Sequence, residues 1–462
     1  MLQVFSPYDR SLIRELPLAT AAQAGELLAR AWALFSDRSK WLPAAQRIEI
    51  LEKTAAIMRS RVEELTRLAI LEGGKPFADS RAEVLRAVNG VEIAIDCIRN
   101  ARGEQIPMSQ NKASENRVAF SLREPIGVVL SISAFNHPLN LVIHQTVTAI
   151  AAGCPVIIKP ASTTPLSCLG FTAILKEAGL PEGWCEAIVC SNEVAETMAC
   201  DRRVHYLSFI GSAKVGWYLR SKLAPGTRCA LEHGGAAPVI VEKDAALDTL
   251  IPSLLKGGFY HAGQVCVSVQ RVFVHADIID TVARQLAAGA EKLVVGDPLN
   301  ENTEVGPLIL PKEVDRVQEW VREAVEKGAT LLCGGRKISE TCFAPTVLLD
   351  PPADCRLSTL EVFGPVVCLY PFRDRKEAIG RANGLDLHFQ AAVFTKDIDV
   401  AMECVSLLDA NAVMVNEHTA FRVDWMPFGG RDASGLGMGG IPYTIHEMTR
   451  EKLIVIKSPG VQ

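Results

Sequence analysis

The stretch Gly127-Val-Val-Leu-Ser-Ile-Ser133 and the stretch Pro155-Val-Ile-Ile-Lys159 decide the fold. Each is a short apolar run of the kind that forms a buried strand, and residues 138–152 between them have the length and composition of a helix. Short apolar strands joined by helices of about ten or more residues predict a parallel sheet with right-handed crossovers. The alternation continues with predicted helices at 165–178 and 193–200 and predicted strands at 186–190 and 205–210. The chain is therefore expected to be α/β, with a Rossmann-type sheet in its first half.

A second alternating set follows and carries the segment around Cys266. It begins near Ala237-Pro-Val-Ile-Val241. The predicted strands are 271–275, 329–332, 366–370 and 391–394, and the predicted helices are 277–292, 311–327 and 374–382. This half of the chain predicts a second α/β domain.

The two ends of the chain carry different patterns. Residues 20–35 and 42–70 place Ala, Leu and Ile at helical spacing among charged residues, which predicts two amphipathic helices, and a third is expected at 79–100. Residues 105–123 alternate loosely between polar and apolar, which predicts a two-stranded ribbon. The tail at 444–456 predicts a final strand that pairs with this ribbon or with a partner subunit.

Composition limits the classes of partner. The 462 residues suffice for about three domains, and 48 basic against 53 acidic residues offer no basic stripe for nucleic acid or anionic lipid. Thirteen cysteines are scattered without a metal-binding spacing, so we expect no metal site and reduced thiols in a cytoplasm. No signal peptide and no run long enough to cross a bilayer is predicted. We expect a soluble cytoplasmic protein that binds a small molecule, without nucleic-acid or membrane partners.

Cys266 has the surroundings of a nucleophile. It lies in Gly258-Phe-Tyr-His-Ala-Gly-Gln-Val-Cys-Val-Ser-Val-Gln-Arg271, between two valines and shortly after a Gly-Gln pair. A tight backbone there can expose one sulfur while apolar neighbours exclude water. For each of the other twelve cysteines a buried structural role is favoured.

Three further motifs stand upstream of Cys266: Asn136 in Ser133-Ala-Phe-Asn-His-Pro138, Lys159 in Ile157-Ile-Lys-Pro-Ala-Ser162, and Glu232 in Leu231-Glu-His-Gly-Gly-Ala-Ala-Pro238. With Cys266, these motifs resemble the aldehyde dehydrogenase superfamily of NAD(P)-dependent enzymes. The resemblance extends over nearly the whole chain.

The resemblance implies a division into three parts. Residues 1–103 and 125–233 would form the NAD(P)-binding domain, and residues 234–441 the catalytic domain. Residues 104–124 and 442–462 would form a small β domain for oligomerisation. We accordingly expect a homodimer or a homotetramer.

A glycine-containing turn is a candidate for the cofactor's phosphates. Phe209-Ile-Gly-Ser-Ala-Lys-Val-Gly216 follows a predicted strand and opens a helix. Gly211 would allow a close turn and Ser212 could cap the helix, with backbone amides toward a pyrophosphate and Gly216 completing the motif. A tight turn without a ligand is the alternative.

Other residues are assigned to the cofactor by position and by resemblance. Lys159 ends a predicted strand at the edge where open α/β sheets bind ligands. The resemblance implies that it contacts the adenosine ribose, and that Ser162 replaces a Glu that often binds the ribose hydroxyls. A carboxylate would repel a 2′-phosphate whereas a hydroxyl can donate to it, so we expect NAD or NADP. The resemblance also implies that Glu361 holds the nicotinamide ribose and that Phe363 lines the ring.

The resemblance assigns three catalytic roles. The Cys266 thiolate would attack the aldehyde, and the Asn136 side chain with the Cys266 backbone N–H would stabilise the oxyanion. Glu232, beside apolar residues, would have a raised pKa and take a proton from the water that hydrolyses the thioester. The alternatives from the residues alone are a helix cap for Asn136 and a salt bridge for Glu232.

The spacing of Asn136, Asn140 and His144 predicts one polar stripe along a helix, with His137 beside it. Because the stripe begins at the proposed oxyanion donor, we expect it to face the substrate. Polar side chains there favour a small polar aldehyde over a fatty or aromatic one.

Two arginines point to the same class of substrate. Arg422, in Phe421-Arg-Val-Asp-Trp-Met-Pro-Phe-Gly-Gly430, lies in a loop that resembles those of lactaldehyde and phosphonoacetaldehyde dehydrogenases. Arg86 would approach from the other side, and such guanidiniums suit an oxygenated or anionic aldehyde. The alternative is a surface ion pair between Arg422 and Asp424.

Two other functions remain possible from the sequence. One is a CoA-acylating aldehyde dehydrogenase, in which a thiol resolves the thioester, and Glu232 argues against it. The other is a non-catalytic structural or regulatory protein of the same fold, which the combination of Cys266, Glu232 and Asn136 disfavours.

Overall fold

The computed structural model describes residues 1–460, so residues 461–462 of the predicted tail at 442–462 lie outside the described residues. The strands are β1 (Leu2–Phe5), β2 (Leu12–Leu16), β3 (Gln105–Ile106), β4 (Arg117–Pro125), β5 (Val128–Ile132), β6 (Val156–Lys159), β7 (Cys185–Ala187), β8 (Val204–Ile210), β9 (Arg228–Glu232), β10 (Pro238–Val241), β11 (Arg271–His275), β12 (Thr330–Cys333), β13 (Thr346–Leu349), β14 (Val366–Phe372), β15 (Leu387–His388), β16 (Gln390–Phe394), β17 (Ala412–Val415), β18 (Arg431–Asp432), β19 (Gly435–Leu436) and β20 (Thr449–Lys457). The helices are α1 (Ala21–Ser36), α2 (Ala44–Ser60), α3 (Val62–Gly73), α4 (Phe77–Arg99), α5 (Asn140–Ala152), α6 (Leu166–Glu177), α7 (Asn192–Ala199), α8 (Ala213–Arg220), α9 (Leu247–Phe259), α10 (Ile279–Ala290), α11 (Pro311–Glu326), α12 (Arg356–Thr359), α13 (Arg375–Asn383), α14 (Ile398–Leu407) and α15 (Ile441–Glu447).

The first large sheet has six strands in the order β19-β9-β8-β5-β6-β7. Its strands pair in parallel except for β19, which pairs antiparallel with β9. Side chains of β5 enter different apolar clusters, because successive strand residues face opposite sides. Val129 packs in the cluster formed with α2, α4, α5 and α6, whereas Val128 and Leu130 pack in the one formed with α1, α7 and α8. The predicted Rossmann-type parallel sheet is confirmed, and the structure shows helices on both of its faces.

The second large sheet has seven strands in the order β12-β13-β14-β11-β10-β16-β17. All its pairs are parallel except β12 with β13. One large apolar cluster joins this sheet to the helices around it, including Leu254 of α9, Leu286 of α10 and Val317 of α11. The predicted α/β class therefore holds for both halves.

A third sheet, in the order β20-β4-β3, differs from the predicted ribbon. β4 pairs with β20 over its full length, from Pro125 opposite Thr449 to Arg117 opposite Lys457. β3 pairs antiparallel with β4, as the ribbon predicted within 105–123 requires, but it has only two residues, so the ribbon is much shorter than predicted. The residues between β3 and β4 are mostly polar. Ser109 and Asn116 among them have left-handed conformations, which interrupt a strand.

Helix boundaries also differ from the predictions. The predicted helix 42–70 is two helices, α2 and α3, separated at Arg61, whose guanidinium bonds Glu177. α9 was missed, because Pro252 lies inside it. β9 was missed because its half-buried sequence Arg-Cys-Ala-Leu-Glu lacks an apolar run.

The turns that carry the candidate residues follow the carboxyl ends of the parallel strands. Asn136 follows β5, Lys159 ends β6, Gly211 follows β8 and Glu232 ends β9. Neighbouring parallel strands bring these ends together at one edge of the sheet. Among residues 1–460, no helix is both long enough and apolar enough to span a membrane.

Candidate active site

A cavity of about 620 Å³ lies at the carboxyl edge of the first sheet and extends to the segment that carries Cys266. Most of the residues singled out in the sequence line it: Cys266, Glu232, Asn136, Lys159, Gly211, Ser212, Glu361, Phe363, His137, Asn140, Arg422 and Arg86. The fold thus brings together side chains that are far apart in the chain, such as Arg86 and Arg422.

The segment before Cys266 turns sharply. His261 (φ 50°), Ala262 (φ 54°) and Gly263 (φ 69°) are three consecutive residues in the left-handed region. The next residue, Gln264, is tied down by its side chain, which accepts from Ile309 N at 2.9 Å and donates to Pro307 O at 3.2 Å. The turn and its anchor hold the Cys266 backbone against the cavity.

Asn136 is fixed to this segment. The turn after β5 carries it, because α5 begins only at Asn140 and not at 138 as predicted. Its Nδ2 donates to the carbonyl oxygen of Gln264 at 3.0 Å, two residues before Cys266. The candidate oxyanion donor is therefore directly linked to the segment that carries the candidate nucleophile.

Burial governs the acid–base state of the two central groups. Burial raises the pKa of the Cys266 thiol to about 12, an effect that the positive charge of Arg422 partly offsets and that Glu232 and Glu361 increase. Burial also raises the pKa of Glu232, and the positive charge of Arg422 partly offsets this rise. The Glu232 carboxyl lies against Gly439, where a Cβ would overlap its Oε1.

Glu361, Phe363 and Lys159 also line the cavity. Oε1 of Glu361 is buried and has no hydrogen-bond partner among residues 1–460, and burial raises the pKa of this carboxyl to about 8. The carboxyl rests on Gly234, where any side chain would collide with it. The Phe363 ring packs edge-on against the Phe135 ring, with centroids 5.8 Å apart, and the Lys159 ammonium donates to the carbonyl oxygen of Pro160 at 3.3 Å.

Three of the predicted residues do not line the cavity. Ser162 is exposed to solvent beyond Lys159. Gly216 faces the His233 ring, which a Cβ would overlap, so the glycine makes room for that ring. His144 lies behind the cavity wall, buried against Asp424.

Asp424 links several residues at one wall of the cavity by hydrogen bonds. Its buried carboxylate accepts two hydrogen bonds from Arg86, at 2.7 and 3.0 Å, one from Asn140 Nδ2 at 3.2 Å and one from His144 Nε2 at 2.7 Å. The alternative of an Arg422–Asp424 surface ion pair was wrong, because Arg86 takes this carboxylate. Burial opposes its charge, yet the His144 and Arg86 bonds hold the Asp424 pKa well below its usual range.

His144 is neutral and couples Asp424 to Arg422. A carboxylate only accepts, so Nε2 carries the proton and Nδ1 is left to accept from an Arg422 NH2 group at 3.4 Å. Burial and the charge of Arg422 lower the His144 pKa to about 4. The Arg422 guanidinium also lies 3.6 Å above the Phe428 ring.

With this geometry established, comparison with known proteins identifies the family. The sequence profile of the aldehyde dehydrogenase family matches residues 1–454. The chain belongs to this family. The predicted family, enzyme class and fold are thereby confirmed.

The similarity of this aldehyde dehydrogenase to its relatives extends over almost the whole chain. A 3-sulfolactaldehyde dehydrogenase of Priestia aryabhattai is 38% identical over 457 residues, which is 98% of this chain and 94% of the relative. Glyceraldehyde-3-phosphate dehydrogenase of Methanocaldococcus jannaschii, complexed with NADP, superposes with a TM-score of 0.95 at 34% identity over 99% of both chains. Aldehyde dehydrogenase 21 of Physcomitrella patens, in complex with the reaction product succinate, gives 0.96 at 35% identity over 99% of this chain and 95% of that chain.

Several polar residues of this site were missed in the sequence. Tyr260 lines the cavity and its hydroxyl lies 2.6 Å from His137 Nε2. Glu83 accepts from the backbone N–H groups of Leu139 and Asn140, both at 3.0 Å, and pairs with the buried Lys75. Glu83 precedes Arg86 by three residues on α4, a spacing that could have indicated a shared face.

Proposed function

We propose that the protein oxidises a small polar or anionic aldehyde to its carboxylate with NAD(P)⁺. The observation that carries this proposal is the convergence of Cys266, Glu232 and Asn136 on one cavity. Membership of the aldehyde dehydrogenase family supports it. The names of two relatives, a sulfolactaldehyde and a glyceraldehyde-3-phosphate dehydrogenase, support a small polar substrate.

Cys266 provides the nucleophile. Its thiolate adds to the aldehyde carbon and forms a hemithioacetal whose oxygen carries the negative charge. The Asn136 Nδ2 group, now bonded to the Gln264 carbonyl, and the Cys266 backbone N–H supply donors to that oxygen. Removing one such donor typically costs about 10² to 10³ in rate.

The cavity residues fit a nicotinamide dinucleotide. The unpartnered Oε1 of Glu361 suits a ribose hydroxyl, and Gly211 with Ser212 at the start of α8 suits the phosphates. Held by these residues, NAD(P)⁺ would supply the hydride acceptor, and the hemithioacetal on Cys266 would become a thioester. Ser162, an uncharged and exposed residue near Lys159, supports the use of both NAD and NADP.

Glu232 completes the reaction. Its pKa, raised by burial, makes it a base that takes a proton from water while that water attacks the thioester. Hydrolysis releases a carboxylate and restores the Cys266 thiol. A CoA-acylating enzyme would need a thiol in place of this water.

We also propose a cytoplasmic homodimer or homotetramer, divided into the three domains expected from the sequence. The thirteen cysteines are all free, which supports a reducing compartment. Apolar side chains of β20 are exposed, among them Leu453, Val455 and Ile456, and this supports a role of the third sheet in oligomerisation.

The test is an assay of a small panel of aldehydes with both cofactors. Lactaldehyde, succinic semialdehyde, phosphonoacetaldehyde and hexanal would each be tested with NAD⁺ and NADP⁺, with and without CoA. We expect oxidation of at least one short polar aldehyde without CoA, and none by a Cys266→Ala variant. A requirement for CoA, a clear preference for hexanal, or full activity of Cys266→Ala would contradict the proposal.

A further inference from the structure

Two consecutive residues at the end of β9 hold the glycine turn that precedes α8. Gly211 donates its N–H to the carbonyl oxygen of Glu232 at 3.0 Å, and its own carbonyl oxygen accepts from His233 Nδ1 at 2.9 Å. The first bond continues the parallel pairing of β8 with β9, in which Ile210 lies opposite Glu232. The second bond comes from a side chain, so it depends on the residue type at position 233.

The surroundings of the His233 ring determine its protonation. A carbonyl oxygen only accepts hydrogen bonds, so Nδ1 carries a proton. Nε2 is buried without a hydrogen-bond partner among residues 1–460, and burial lowers the pKa of the imidazole. The ring is therefore neutral, with its one proton on the nitrogen that faces Gly211.

Packing fixes the ring in this orientation. The Phe209 and Trp217 rings meet it edge to face, with centroids 5.8 and 5.9 Å from its own. Gly216 provides the space that the ring occupies, because a Cβ at this position would overlap it. The imidazole is 2% exposed in the protein without a ligand. The Nδ1 donor is thus in place before any ligand binds.

The bond from His233 also sets the direction of the next backbone N–H. The Gly211 carbonyl and the Ser212 N–H belong to one planar trans peptide, so they point in opposite directions. Because the carbonyl points to the buried imidazole, the Ser212 N–H points away from it. Gly211 has no side chain to restrict its backbone, so without this bond the peptide could rotate at little cost.

The Ser212 N–H lies where an anion can bind. Gly211 and Ser212 line the cavity, and Ser212 is exposed. The Ser212 side chain makes no capping hydrogen bond to α8, so it leaves the N–H groups of the first helical turn to a ligand. A peptide that is already oriented binds an anion more tightly than one that must be ordered on binding.

We propose, on the basis of the proposed function, that His233 is a positioning residue for the pyrophosphate of the cofactor. Its Nδ1–H holds the Gly211 carbonyl and thereby directs the Ser212 N–H to a phosphate oxygen. It acts through the peptide between Gly211 and Ser212, without contacting the cofactor. The residue next to the proposed base Glu232 thus orients the phosphate site.

Three substitutions separate this hydrogen bond from the packing of the ring. His233→Leu fills the space without a donor, and His233→Asn keeps an N–H donor near the Nδ1 position. His233→Gln is the matched control, because its amide reaches the Nε2 position beside Gly216 instead. Calorimetry of NADH and NADPH binding to the cofactor-free proteins should show about fivefold weaker binding for the Leu and Gln variants, as the loss of one hydrogen bond predicts. The Asn variant should stay within about twofold of the wild type.

Fragments of the cofactor locate the effect. ADP-ribose contains the pyrophosphate, whereas adenosine contains no phosphate. We expect ADP-ribose to bind His233→Leu about fivefold more weakly than the wild type, and adenosine, measured by competition with the dinucleotide, to bind both equally. An equal loss for adenosine would mean that the substitution disturbs the packing of the site in general, and the inference would be wrong.

A crystal structure of the wild type with NADH or NADPH gives a test that needs no variant. We expect the Gly211 carbonyl on His233 Nδ1 and the Ser212 N–H within hydrogen-bond distance of a phosphate oxygen. A structure with this N–H turned away from the phosphates would overturn the inference, even if every variant failed to fold.

These outcomes also separate the inference from the proposed function. If the wild type binds a dinucleotide and His233→Leu binds it equally well, or if His233→Asn binds as weakly as His233→Leu, the inference is wrong and the proposed function stands. If the wild type binds neither NADH nor NADPH, the proposed function itself fails.

Discussion

At the residue scale, Arg422 acts on both groups that carry the proposed chemistry. Burial raises the pKa of Cys266 and of Glu232, and the positive charge of Arg422 lowers both. In the ligand-free protein burial dominates, so Cys266 is a thiol at neutral pH and its intrinsic reactivity is low. A reactive thiolate then depends on what enters the cavity.

The protonated state of Cys266 in the ligand-free protein predicts how its alkylation rate depends on pH. Because burial raises the Cys266 pKa to about 12, the rate of its alkylation by iodoacetamide should rise about tenfold per pH unit from pH 7 to pH 9, without a plateau. Mass spectrometry of the peptide that carries Cys266 follows the rate at this residue alone. A plateau below pH 8 would mean that the thiolate is already favoured before any ligand binds.

Asp424 predicts an unusual effect on stability, also at the residue scale. Arg86→Met leaves the carboxylate, whose side chain is only 2% exposed, without its paired charge. We expect the free energy of unfolding to fall by about 3 kcal/mol, as when one partner of a buried ion pair is removed. The double variant Arg86→Met/Asp424→Asn should recover much of this loss. Denaturant titration of the wild type and these variants measures both effects, and equal loss in single and double variants would contradict the account.

At the element scale, the turn before Cys266 has a strained backbone, with three consecutive residues in the left-handed region. Residues other than glycine rarely adopt a positive φ, yet His261 and Ala262 both do so directly before Gly263. Such strain persists only where surrounding contacts enforce it, and here the bonds of Gln264 do so. The position of Cys266 therefore depends on the contacts that hold this turn.

Gly263→Ala tests this turn. The added Cβ would overlap the carbonyl oxygen of Gly364, so we expect a loss of about 2 kcal/mol or more in stability, together with displaced Cys266 and reduced activity. Gly179→Ala is the matched control, because Gly179 also has a positive φ of 96° but open space around it. It should cost about 1 kcal/mol and leave activity intact. Thermal unfolding and kcat/KM are measured for both, and equal effects would argue against a special role of the turn.

Element prediction from the sequence succeeded where the pattern was local. The strands around Val129 and Ile157 and the helix between them follow from apolar runs and helical spacing. The prediction failed at α9, where packing of the buried apolar face stabilises the helix despite Pro252 inside it. It also failed at Arg61, where one continuous helical pattern is divided between two helices. Tertiary packing decided these cases, and local spacing does not contain it.

At the scale of the whole molecule, buried carboxyl groups make stability depend on pH. Burial raises the pKa of Glu361 to about 8 and that of Glu72 to about 7, although Glu72 accepts two backbone N–H bonds at the start of α6. A carboxyl whose pKa is raised on folding binds more protons in the folded state. Its contribution to stability is therefore full at pH values below its ordinary pKa and is lost as pH rises through its folded pKa.

Glu361→Gln tests this effect. The amide resembles the protonated carboxyl and does not ionise, so the variant should melt at a higher temperature than the wild type at pH 8.5 in the absence of cofactor. At pH 5, where the wild-type carboxyl is largely protonated in the folded protein, the difference should be smaller. A difference that is equal at both pH values would contradict the raised pKa.

The sequence predicted the family and the central residues because short motifs carry them. It did not predict the arrangement around Asp424, since this carboxylate lies in the C-terminal loop and its partners come from α4 and α5, with Arg86 338 positions away. Only the folded chain shows that Arg86, and not Arg422, takes the carboxylate. Arg422 instead contacts His144 and lies over the Phe428 ring.

The most direct measurement of the central claim uses a Glu232→Gln variant, mixed with NAD(P)⁺ and the aldehyde that the wild type oxidises fastest. Without its base the variant should stop at the thioester, so we expect a burst of about one equivalent of NAD(P)H per subunit and an acyl group on the Cys266 peptide in the mass spectrum. A burst with no acyl group on Cys266, or the same burst from a Cys266→Ala variant, would contradict the account.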